Sequence, residues 1–135
     1  MKKTCERRVF TVALVMYARI GADTECNTPF EIGNRIKGAC GSNKALALEL
    51  WAIYQMLFML RLQNEADVLN AVYGIYFRPF YKSLSRAEMR NEISYRIRRF
   101  AIENYIDERT VYRRLKRARD LFFKICLNLE KRNEA

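Results

Sequence analysis

Residues 97–121 read IRRFAIENYIDERTVYRRLKRARDL, and their spacing decides the fold. Phe100-Ala101 is followed by a polar half-turn, then Ile106-Asp107, then Thr110-Val111, Leu115, Ala118 and Leu121. Apolar residues three and four apart on either side of a polar break predict two amphipathic helices joined by a short turn. Ala101 is small enough for the second helix to cross over it, and Ile106 and Val111 lock the crossing. Asp107 is a capping residue type placed directly before Glu108. One position resists. Four residues after Ala101, where a tight turn of this kind usually has glycine, stands Tyr105, whose bulk predicts a distorted or longer turn.

Working outward, the same helical spacing dominates the rest of the chain and strand-like alternation is scarce. The expected fold is all-α, about five to six helices ending in a C-terminal helix-turn-helix. A first helix is predicted over 6–20 with Gly21 as its stop, then a loop through 23–27. Thr28-Pro29-Phe30-Glu31 has the form of a capping box with proline in the first turn, opening a short helix that ends at Gly38. The GACGSN stretch at 38–43 lacks the GxxxxGK[ST] pattern and a preceding strand, so it is a helix connection rather than a phosphate loop. Ser42 or Asn43 caps a helix over 44–63 that is apolar almost all round, either the buried centre or the seam of a dimer. A further helix over 65–77 is broken by Arg78-Pro79. Ser85-Arg86-Ala87-Glu88 is a second capping box, and the last helix runs over 108–129. The chain divides into an N-terminal helical segment, 1–63, and a second segment, 64–135, that pack as one unit. Leu50, Trp51, Leu57, Phe100, Ala101, Val111 and Leu115 are expected in the core.

Composition narrows the chemistry. Of 135 residues, half are hydrophobic, enough for a core without metals or disulfides. Histidine is absent, which removes serine–histidine and cysteine–histidine catalysis and histidine metal sites together. Cys5, Cys26, Cys40 and Cys126 contain no CxxC pair, so neither zinc nor a necessary disulfide is expected. Reduced thiols and the lack of a visible secretory signal point to the cytoplasm. The apolar run at 45–62 contains Glu49 and Arg61 and is too interrupted for a membrane span, so no membrane partner is expected. Glu88 and Glu92, one helical turn apart, are the nearest approach to a catalytic pair and lack a partner ligand. The chain therefore reads as a non-enzyme without a cofactor.

Charge supplies the positive signal. The net charge is +10, and it is uneven: nine basic against seven acidic residues up to Phe77, sixteen against eight from Arg78 onward. Arginine provides seventeen of the twenty-five cations, a preference that suits phosphate and base-edge recognition. Arg109, Thr110, Arg113, Arg114 and Arg117 fall on or beside the outer face of the second helix of the 97–121 pair. Arg109 or Arg113, near its start, would reach base edges. Arg117 and the upstream Arg98 and Arg99 would hold phosphate. The expected partner is double-stranded DNA. A helical protein-interaction or homodimerisation module, with the basic face serving only to solvate it, remains the alternative.

The tyrosine-rich helix VLNAVYGIYF (68–77), the alanine-containing helix, the turn and TVYRRLKRARDLF (110–122) together resemble the fourth region of sigma factors. More specifically, they resemble small lambdoid-phage late antiterminators of the Q type, over roughly residues 44–125. Tyr105 and the extra residues at 78–85 depart from that pattern. The resemblance implies sequence-specific binding near a late promoter in a bacterial host, contact with RNA polymerase, and conversion of the polymerase to a terminator-resistant form.

Overall fold

Local capping chemistry sets most of the element boundaries. The computed structural model describes residues 3–21, 23, 26–80 and 84–134, and among these it contains six helices and no strand. Thr24 and Glu25 of the first loop, and residues 81–83 of the 78–85 segment, lie outside the described residues. Helix α1 spans Lys3–Arg19 and is followed by Gly21 at φ 67. Helix α2, Pro29–Cys40, starts as its sequence predicts: the Thr28 hydroxyl accepts from the Glu31 amide at 3.2 Å. It runs past Gly38 because the left-handed residue is Gly41, at φ 56. Asn43 rather than Ser42 caps α3, Lys44–Leu62, accepting from the Leu46 amide at 3.1 Å. Helix α4 is Ala66–Tyr76 and α5 is Arg86–Glu103, the latter opened by the complete Ser85/Glu88 capping box. Helix α6, Glu108–Glu134, extends beyond the expected 129.

One hydrophobic core takes residues from all six helices and so crosses the 63/64 division. Helix α3 is its centre, packing against α1, α2, α4 and α6 with Leu50, Ile53, Met56, Leu57 and Leu60 essentially inaccessible. By length and composition alone this helix could cross a membrane, and here a third of it is buried within the fold. It is not covered on every side: Phe58 and Leu62 are exposed, and Trp51 is only half-buried. Trp51 lies at the edge where α2 crosses, its ring so near Gly33 that a Cβ there would sit 3.1 Å away. Phe100 is likewise half-buried at the core's edge, and its ring lies over Gly74 of α4, where a Cβ would come within 2.8 Å. Gly74 thus sets how closely α4 and α5 approach.

Glu49 is half-buried on α3, and desolvation holds its carboxyl above the usual carboxylate range. The same environment pushes the buried Cys126 thiol up to about 12, with Glu49 contributing after burial itself. A carboxyl whose folded value lies above its unfolded value favours folding most when protonated. Stability is then lost as pH rises from the unfolded to the folded value. Glu49→Gln is therefore expected to raise the thermal midpoint at neutral pH, with the gain closing as pH falls below the carboxylate range. Melts of both proteins across that interval check this.

Candidate nucleic-acid interface

Helices α5 and α6 are joined by residues 104–107 without the distortion that Tyr105 predicts. The Ile106 amide donates to the Ala101 carbonyl at 3.0 Å and the Tyr105 amide to the Ile102 carbonyl at 3.3 Å. This is a Schellman stop with Tyr105 in the left-handed position, at φ 55. The residue itself is 95% exposed, its ring projecting away from the fold. Ile106 turns back against the core, and the Asp107 carbonyl accepts from the Thr110 and Val111 amides to start α6.

The register of α6 follows its apolar spacing. Val111, Leu115, Ala118, Leu121, Phe122, Ile125 and Cys126 are buried on one side. At ~100° per residue, Arg109, Arg113 and Arg117 fall on the opposite side, and all three are exposed. Thr110 and Arg114 are half-buried at the margin.

The cations expected to contact DNA divide into three groups by their partners. Arg117 donates to both carboxylate oxygens of Glu65, at 3.0 and 2.9 Å, and to Gln63 at 3.1 Å. The Glu65 carboxylate holds the guanidinium firmly charged. Arg114 faces Asp67 at 3.7 Å. These two side chains link α6 to the start of α4. On α5, Arg99 pairs with Glu103 at 2.7 Å and Arg98 with Glu108 at 3.5 Å, both well exposed. Exposed pairs of this kind contribute little to stability and exchange readily for another anion. They also neutralise Glu103 and Glu108, two carboxylates that lie beside the basic residues. Arg109 and Arg113 have neither a hydrogen bond nor an ion pair among the described residues. They project from the first turns of α6.

Two acidic residues weighed for catalysis have structural work instead. Glu88 closes its capping box on the Ser85 amide at 3.1 Å, which holds its carboxyl below the usual range. Glu92 receives Arg96 at 2.9 Å. Arg96 itself is the residue that sequence reasoning missed. Its side chain is 10% exposed, and it donates to the carbonyls of Ile75, Arg78 and Pro79 at 2.8–2.9 Å. The guanidinium also lies 3.8 Å from the centre of the Phe80 ring. It ties α5, and through it the turn and α6, to the end of α4. No protein family, curated protein or solved structure matches the chain.

Proposed function

We propose that the chain is a non-enzymatic, sequence-specific DNA-binding protein of the helix-turn-helix type, with α5 as the supporting helix and α6 as the helix that enters the major groove. The observation that carries the reading is the state of Arg109 and Arg113. They are unpaired arginines on the exposed side of the first turns of a helix whose other side is locked into the core. Arginine near the start of such a helix can grip a guanine edge with two parallel hydrogen bonds. Arg98 and Arg99 would exchange their surface carboxylates for phosphate. Arg114 and Arg117, which pair with Asp67 and Glu65, would flank the groove and add phosphate contacts while steadying the helix. The resemblance to phage late antiterminators extends the proposal to a transcription regulator that acts with RNA polymerase, and a terminator read-through assay with the purified polymerase tests that extension.

Binding of labelled duplex DNA, measured across a salt series for the parent protein, Arg109→Ala and Arg113→Ala, tests the DNA reading itself. A residue that holds phosphate lowers the salt slope by about one when removed and weakens all sequences alike. A residue that reads a base costs about 1–3 kcal/mol and relaxes preference at one position. If both variants are folded and bind like the parent, α6 is not the recognition helix. The interaction-module reading then takes its place.

A further inference from the structure

Two non-glycine residues adopt the left-handed backbone among the described residues, Asn64 and Tyr105. Asn64 is a residue type that tolerates this conformation, and it sits in a matching stop at the end of α3, where the Glu65 amide donates to the Leu60 carbonyl at 2.9 Å. A tyrosine has no such tolerance, and the fold gains no packing from a ring that is 95% exposed. Glycine would suit the backbone better. The identity of residue 105 is therefore unexplained by stability, which makes the position a candidate for function.

The ring is not isolated. Tyr95, Arg98 and Ile102, three and four residues apart, form one line down the outer side of α5, and Tyr105 follows in the stop at the helix end. Tyr95 is 54% and Ile102 70% exposed. Arg99 lies beside them, paired with Glu103, and Tyr105 stands four residues before the unpaired Arg109. An open aromatic face next to arginines, in the half of the chain that carries most of the positive charge, matches a nucleobase with its phosphate. Inside an intact duplex the bases are already stacked on one another. The ring gains a partner only where a base is unpaired or a step has opened.

We infer that Tyr105 stacks on an unpaired base adjoining the duplex that α6 grips, with Ile102 wedged beside it. The ligand class is duplex DNA with an opened step. This inference rests on the DNA-binding reading of α6 and deepens it.

The test compares an intact duplex with the same duplex carrying a short mismatch bubble. Fluorescence anisotropy is measured on the full chain for the parent, Tyr105→Gly, Tyr105→Phe and Arg109→Ala, with thermal melts alongside. The parent is expected to bind the bubble about tenfold more tightly than the intact duplex. Tyr105→Gly should lose that preference while melting at the parent's temperature or above it, and Tyr105→Phe should retain it. A glycine variant that keeps the preference, or a parent that shows none, overturns the inference. A glycine variant that melts lower overturns it too, because the ring would then serve the fold. If Arg109→Ala still weakens binding in these cases, the α6 reading stands. If the parent binds neither duplex, both fall.

Discussion

Phe122→Ala is expected to remove about 3–5 kcal/mol of folding stability. Phe122 is fully buried on α6, with its ring 5.3 Å from that of Phe10 on α1 and 4.9 Å from Phe123. Phe10 in turn meets Tyr76 of α4 edge-on at 6.1 Å, so the Phe122 ring is the α6 end of an aromatic chain that runs through α1 to α4. Truncating it opens a cavity that none of these helices can close without losing its other contacts. A single domain has about 5–15 kcal/mol in total, so much of the margin goes with it. Urea denaturation of the parent and the variant measures the loss. Leu127→Ala on the same helix, where the side chain is 58% exposed, is the control and should change stability by less than about 1 kcal/mol. Equal losses at both positions would mean that the buried side of α6 has been misassigned.

Arg96→Ala should cost about 2–4 kcal/mol, an unusually large effect for an arginine on an amphipathic helix. The carbonyls of Ile75, Arg78 and Pro79 lose their donor together, and Glu92 loses its cation. Arg96→Lys should recover only part of this. An ammonium is a compact donor that cannot span three carbonyls and lie flat on Phe80 as the planar guanidinium does. Because Arg96 joins the end of α4 to α5, the alanine variant should also weaken DNA binding although the side chain faces away from the proposed interface. Denaturation and DNA-binding curves on the same samples check both effects. Full recovery by lysine would show that charge alone matters there.

Much of the fold is legible in the sequence wherever a local rule decides. The Thr28 and Ser85 caps start their helices because a hydroxyl three residues before a free amide satisfies it, whatever the tertiary context. The stripe from Val111 to Cys126 fixes which side of α6 is buried. Choices between equivalent residues are not legible in this way. Gly38 and Gly41 are alike on paper, and only the path of the chain makes the second one left-handed. The seating of the Trp51 and Phe100 rings depends on glycines, Gly33 and Gly74, that lie far from them in sequence. The same holds for the candidate interface. Arg109, Arg113 and Arg117 are indistinguishable along a helical stripe. What separates them is Glu65, which only the α3–α4 turn brings to Arg117. Arg96 left a faint signal: it sits three residues after Ile93 and four before Phe100, an arginine on the apolar side of its helix.

The claim that α6 reads DNA sequence is tested most directly by selection from a randomised duplex library with the parent protein, followed by binding to the enriched and to random duplexes at physiological salt. A preference of about a thousandfold or more for the enriched sequence is expected, with Arg113→Ala losing part of it at one base position. A protein that enriches no sequence, or that holds enriched and random DNA equally with a steep salt dependence, would contradict the account. Its basic face would then be a nonspecific surface.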